Sequence, residues 1–166
     1  MGYALFAQRK IVLTGQLNSA QIQQTQRSDE QYKLATQNLS LSQQMTSLTA
    51  SQANELASWY GKLAAVGEDV DLSGLEGDAL DDAMTKINKE RDDINAEINK
   101  IQQQNQKELD AINRKIYLIG VKEASVEMEV KRLDTQVTAL QQQLEAVQEA
   151  EGKAIQNATP KFKGVA

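Results

Sequence analysis

The chain has 166 residues, of which 40% are hydrophobic and only 4% aromatic, and its formal net charge is −5. It contains no cysteine and no histidine, which excludes disulfide bonds, thiolate metal sites and acid–base catalysis by histidine. The acidic balance argues against a nucleic-acid partner, because binding to phosphates requires a basic surface.

The first predicted element is a long helix over residues 1–62, with a possible kink near Gly15 or Gln26. Its polar residues are mainly Gln, Ser, Thr and Asn, and residues 1–60 include only seven charged residues. An uncharged polar face can hydrogen-bond to copies of itself without burying unpaired charges. The alternative is a face that is only solvated. A seven-residue leucine repeat predicts that this helix packs against another through Leu34, Leu41, Met45, Leu48, Leu56 and Trp59.

Apolar residues are concentrated at the start of this helix, in the stretch ALFAQRKIVLTGQLN at residues 4–18. On a helical wheel they cover two sides, and a helix that is apolar on two sides is normally buried by more than one neighbour. We therefore expect contacts with other subunits. The alternative is that the second helix covers one side and the others are scattered exposed residues. The predicted subunit-interface residues are Leu5, Phe6, Ile11, Val12, Leu13, Leu17 and Ile22.

The predicted connection between the two helices covers residues 63–78 and is rich in glycine and acidic residues. Its segment DVDLSG resembles the first half of a calcium-binding EF-hand loop, whose first, third and fifth positions would be Asp69, Asp71 and Ser73. The twelfth position of that loop, a bidentate Glu, is Leu80 here. We therefore expect an acidic turn with no metal and no other cofactor, and calcium at those three residues is the alternative.

The second predicted helix covers residues 79–156, with Asp78 as its N-cap. Its apolar residues recur at alternating steps of three and four, the pattern of a coiled coil, with one stutter through Asn105. Gly120 is either tolerated at a close helix crossing or a possible hinge. A short basic tail, 157–166, follows. The predicted packing residues of this helix are Ile94, Ile98, Ile101, Ile112, Ile116, Ile119, Val126, Val130, Leu133, Val137, Leu140, Leu144 and Val147.

These elements predict an all-α fold, a long antiparallel helical hairpin or coiled coil. In its long terminal helices, intervening segment, lack of cysteine and Gln-, Ser-, Thr- and Asn-rich first helix, the chain resembles the type III-secreted filament subunits, the flagellin and needle-filament group. The matching parts are 3–62, 63–78 and 79–156. The resemblance implies terminal helices that pair and then assemble into a filament.

We therefore expect a non-enzymatic structural protein whose partner is itself, with no nucleic-acid partner and no small-molecule substrate. A membrane partner is not expected either, because no segment has the roughly 18 consecutive apolar residues that span a bilayer. Arg9 and Lys10 follow the first apolar residues instead of preceding them, which does not fit a Sec signal. An extracellular or virion-associated assembly is favoured, and a cytoplasmic one comes next. The alternative function is a cytosolic coiled-coil adaptor or chaperone that forms a small discrete oligomer.

Overall fold

The structure is a computed structural model that describes residues 2–158, with side chains from residue 4 onward. Helix α1 covers Gly2–Ala65 and helix α2 covers Asp78–Ala158, and residues 66–77 connect them. The described residues contain no strand. The two helices pack against each other, which confirms the predicted all-α helical hairpin. The predicted tail continues the helix as far as Ala158, and its residues 159–166 lie outside the described part.

Helix α1 is longer than the sequence predicts. It is α-helical through both Gly15 and Gln26, the two positions near which a kink is possible, and it ends three residues after the predicted boundary. Neither described helix contains a stretch long and apolar enough to cross a bilayer.

Contacts divide the chain into two compact units. The first unit pairs residues 2–36 of α1 with residues 120–158 of α2, and the second unit consists of residues 37–119. In the first unit Lys10 pairs with Glu151 and Arg27 with Glu129, so that the helices run antiparallel. On α2 the boundary between the units falls immediately before Gly120.

The core of the first unit is a row of aliphatic residues along the line where α1 and α2 meet. On α1 the buried Leu13, Ala20 and Leu34 lie on one seven-residue repeat, in which the half-buried Arg27 occupies the position between Ala20 and Leu34. Leu133 of α2 is the most buried large side chain, with 1% of its surface exposed. Such a sustained repeat of seven keeps the apolar face of a long helix turned toward its partner.

The second unit has a thinner core that includes a polar layer. Ile87 and Ile98 of α2 are buried, and so is the polar side chain of Gln52 on α1. Across both units, every residue predicted to pack between the two helices is buried or half-buried. The hairpin therefore buries one face of each helix and leaves the opposite faces exposed.

Two glycines define the ends of the connecting segment. Gly67 follows α1 with φ of +85°, and Gly77 precedes α2 with φ of +60°. The Gly77 carbonyl accepts hydrogen bonds from the amides of Leu80 and Asp81, both at 3.1 Å. Gly77 therefore occupies the N-cap position that was predicted for Asp78, because its carbonyl accepts the first bond of the helix. Asp78 and Asp81 lie in the first turn, where the helix dipole favours negative charge.

Candidate self-association surface

The predicted subunit-interface residues separate into two groups. Phe6, Leu13 and Leu17 pack within the first unit, where Leu13 belongs to the same buried cluster as Val137 and Leu140 of α2. For Leu13, 6% exposed, the predicted contact with another subunit was wrong, because α2 of the same chain already covers it. Phe6 and Leu17 are only half-buried, and their contact with another subunit stays a prediction. The physical reason for the packing of all three within the unit is the packing repeat of α1. Its alternating steps of three and four residues, counted back from Leu34, reach Leu17, Leu13 and Phe6 and turn these side chains toward α2.

The remaining predicted interface residues are exposed on α1. Leu5 is 68% exposed, Ile11 73%, Val12 52% and Ile22 59%. We call the exposed residues of α1 between Ala4 and Gln26 the α1 outer face. Four large aliphatic side chains exposed within one short stretch of a single helix make this face different from an ordinary solvated one.

Charge is nearly absent from the α1 outer face. Residues 11–26 include no charged residue at all. Of the two basic residues nearby, Lys10 is half-buried and pairs with Glu151 of α2 at 3.6 Å. The other, Arg9, lines a shallow groove beside Gln143 and Ala146 of α2. Both side chains therefore lie close to α2, and the rest of the face offers only uncharged groups.

The exposed surface of α2 in the same unit has the opposite character. Its exposed residues between 131 and 153 include both acidic and basic side chains: Lys131, Arg132, Asp134, Glu145, Glu149 and Lys153. Lys131 and Glu127 also form an ion pair along the helix at 2.7 Å. This is the composition expected of a helix face in water. The two helices of one unit therefore present different surfaces, one charged and one neutral.

A groove of about 490 Å³ lies on the α1 outer face, lined by Asn18, Gln21, Ile22, Thr25 and Gln26. Its lining combines an aliphatic side chain with carboxamides and a hydroxyl, each of which can donate or accept a hydrogen bond. Thr25 already donates its hydroxyl to the carbonyl of Gln21 at 3.1 Å. The groove suits a neutral helix with small polar and apolar side chains better than an ionic ligand.

An ion-pair network marks the C-terminal limit of the uncharged stretch. Arg27 donates to Glu30 at 2.6 Å and to Glu129 of α2 at 3.0 Å, and Lys122 of α2 lies 3.3 Å from Glu30. The hydrogen bond from Arg27 lowers the pKa of Glu30, and Lys122 adds to that effect. The same bond raises the pKa of Arg27. This network links α1 to α2 within the first unit and leaves the outer face neutral.

The second unit contains a polar layer formed by Gln52 and Asn105, of which the sequence analysis singled out only Asn105. Gln52 of α1, 7% exposed, donates to the backbone carbonyl of Asn105 at 3.5 Å and to Glu108 at 3.3 Å. The side-chain amide nitrogen of Asn105 is buried without a partner. Asn105 is the predicted stutter of α2. On α1 the packing residues also step by four and four, through Leu48, Gln52 and Leu56, so the stutters of the two helices coincide.

The remaining sequence candidates do not come together as a site. Asp71 accepts hydrogen bonds from the backbone amide and the hydroxyl of Ser73, which lower the pKa of its carboxyl group. Within the residues whose side chains are described, no group of three or more acidic, His or Cys side chains is placed to hold a metal ion. At Gly120 an added Cβ would meet no atom within 4 Å. The predicted close helix crossing is therefore wrong, and a hinge there stays a prediction.

Comparison of the chain with protein-family models, curated protein sequences and solved structures finds no match in any of the three.

Proposed function

We propose that this chain is a non-enzymatic structural protein that self-assembles into a homo-oligomeric array or filament through the α1 outer face. The observation that carries the proposal is the exposure of Leu5, Ile11, Val12 and Ile22 on a face whose residues 11–26 include no charge and whose one exposed charged residue, Arg9, lies beside α2. Burying such a face removes apolar surface from water, which favours association. Over residues 11–26 it leaves no charge unpaired, so the usual penalty of burying ions does not arise there.

The resemblance to secreted filament subunits is part of this proposal. Its support is the hairpin of two long helices together with a first helix whose free face is neutral. An assembly of this kind would act outside the cell or on a virion, with copies of the same chain as its partner. No reaction is assigned to the protein, because the chain lacks Cys and His and its grooves are open surface features.

The test is the dependence of particle mass on protein concentration, measured by multi-angle light scattering and by negative-stain electron microscopy. We expect the unmodified protein to exceed the monomer mass of 18.3 kDa progressively as concentration rises. The variant Ile11→Asp/Ile22→Asp places two charges on the α1 outer face, and it should stay at the monomer mass with unchanged helical circular dichroism.

The matched control is Gln141→Asp/Gln148→Asp, which adds the same two charges at exposed positions of α2. It should assemble like the unmodified protein. Particles that form equally well from both double variants would overturn the proposal.

A groove near the connecting segment favours a second candidate function, an adaptor or chaperone of fixed small oligomeric state. Trp59 and Ile94 line this groove of about 490 Å³, together with Lys89 and Glu90. The Lys62 ammonium lies 3.9 Å from the centre of the Trp59 ring. An aromatic surface bordered by both signs of charge can hold a client segment. This function predicts a mass that stops rising once the small oligomer has formed.

A further inference from the structure

The first unit carries a second row of helix-packing positions on α1, apart from the row that contacts α2. The row begins at Ala4 and Ala7, and this pair of positions recurs every seven residues as far as Tyr32 and Ala35. Every residue in it is exposed and none is charged. We call this row the second seam. Its alternating steps of three and four residues are the spacing with which one α-helix packs along another.

The second seam is the core row of α1 displaced by one residue. Thr14 follows the buried Leu13, and Asn18 follows the half-buried Leu17. One residue turns an α-helix by about 100°, since a turn contains 3.6 residues. The two rows therefore face different directions, and α2 covers the first row only.

The neighbour that fits the second seam is another copy of α1. A helix packed there has to be uncharged along its contact, because a charge buried without a partner is strongly unfavourable. In the same unit the exposed surface of α2 carries charges such as Lys131, Asp134 and Glu145. The second seam itself meets the requirement, and a surface that packs on its own copy forms a closed two-fold contact.

Side-chain size selects the direction of the pairing. In a parallel pair Tyr32 would meet Tyr32 in one layer and Ala7 would meet Ala7 in another, leaving one layer crowded and one empty. In an antiparallel pair centred between Ser19 and Ala20, large residues meet small ones and the amides meet each other. The facing pairs are then Ala7 with Tyr32, Ile11 with Ser28, Thr14 with Thr25, and Asn18 with Gln21, and the end layer pairs Ala4 with Ala35.

We infer that two copies of the chain pair antiparallel through the second seam of α1, in the register that places Ala7 opposite Tyr32. This inference rests on the proposed self-assembly and specifies one of its contacts, the pairing of two copies. Because a two-fold pair is closed, growth beyond the pair needs a further contact, for which Leu5, Val12 and Ile22 are exposed outside the second seam. At ~1.5 Å per residue and a helix diameter of ~10 Å, residues 4–35 present about 480 Å² on each copy. The pair buries about 1,000 Å² in total, the lower limit for a specific interface. The pairing is therefore weak on its own and depends on concentration.

Site-directed cross-linking tests the geometry, since the chain has no cysteine of its own. The exposed positions 7 and 32 are changed separately, to Ala7→Cys and Tyr32→Cys, and the two proteins are mixed with a short bis-maleimide. The mixture should give a covalent dimer, whereas each variant alone should give none. In the antiparallel pair two copies of position 7 lie 25 residues, or ~37 Å, apart along the helix axis.

Three other results would overturn the inference. Cross-linking of each variant with itself shows a parallel pair. A product of Tyr32→Cys with Thr14→Cys in preference to Ala7→Cys shows a shifted register. A product of Ala7→Cys with Met128→Cys, on the exposed surface of α2, shows a contact between different surfaces. In all three cases the protein still associates, so the proposed function survives. A protein that stays monomeric in light scattering contradicts both.

Discussion

Gly67 lies directly against Ile87. A Cβ atom built on Gly67 would approach both Cδ1 and Cγ2 of Ile87 to 3.4 Å, and the glycine has φ of +85°. Ile87 is itself buried, with 8% of its surface exposed. The end of α1 and the early turns of α2 are therefore fitted together at a position where both the backbone angle and the available space favour glycine.

Gly67→Ala should lower the free energy of unfolding by about 1–2 kcal/mol, because a left-handed backbone costs a residue with a Cβ about that much. Thermal unfolding followed by circular dichroism measures the effect. Gly74→Ala is the control, since Gly74 has neither a positive φ nor an atom within 4 Å of the added Cβ. Equal melting temperatures for the two variants would contradict the role of Gly67.

Gly120→Ala should have the opposite effect and stabilise the protein by up to about 1 kcal/mol, the difference in helix propensity between glycine and alanine. The reason is that Gly120 lies within α2 and an added Cβ meets no atom within 4 Å. The reverse change at a nearby exposed helical position, Ala124→Gly, should destabilise by a similar amount. A lower melting temperature for Gly120→Ala would show that the glycine is required, as expected of a hinge.

The sequence predicted the two helices well because their packing residues repeat over many turns. Helix ends moved by one to three residues, which is normal where caps decide the boundary. The pattern of apolar residues does not identify Gln52, because one buried glutamine cannot be distinguished by type in a helix rich in glutamine. The spacing of Gln52 does indicate its position, because it lies four residues from both Leu48 and Leu56. It lies opposite Asn105, the stutter predicted on α2.

The surface was only partly predictable for a different reason. On a fixed helical wheel Leu5 and Val12 fall beside Leu13, and all three were assigned to other subunits. A helical wheel drawn with 3.6 residues per turn rotates by ~20° per heptad relative to a seven-residue repeat, so it misplaces residues that are several turns apart. Counting back from Leu34 in steps of seven residues reaches Leu13, which is buried. It does not reach Leu5 or Val12, which are exposed. Exposure alone does not identify a partner, and the proposal of a second copy rests in addition on the lack of charge and the side-chain sizes along the second seam.

Asn105→Leu should raise the free energy of unfolding by about 1 kcal/mol. The side-chain amide nitrogen of Asn105 is buried without a hydrogen-bond partner, and an unsatisfied buried polar group costs about 1–3 kcal/mol. Urea unfolding measures the change, with Gln103→Leu at an exposed position of the same turn as the control. A less stable Asn105→Leu protein would mean that water satisfies the amide in solution. Replacing the polar layer should also make the pairing register of the helices less specific.

The pairing of Glu30 with Arg27 and Lys122 should make stability depend on acidic pH. Hydrogen bonds from Arg27 and then Lys122 hold the pKa of Glu30 below its ordinary value of 4.5. A carboxyl group with a lower pKa in the folded chain binds fewer protons there than in the unfolded chain. Its stabilising contribution is therefore present above pH 4.5 and is lost as the pH falls through the folded value.

Glu30→Gln removes this contribution. At pH 7 the unmodified protein should melt at a higher temperature than the variant, and the difference should shrink as the pH falls below 4.5. Because the side chains of Glu30 and Arg27 are 29% and 41% exposed, about 1 M salt should reduce the difference at pH 7 by screening the charges. Glu145→Gln changes an exposed carboxylate of α2 and serves as the control. A gap between Glu30→Gln and the unmodified protein that stays constant from pH 7 to pH 3 would contradict the assigned role of the pairing.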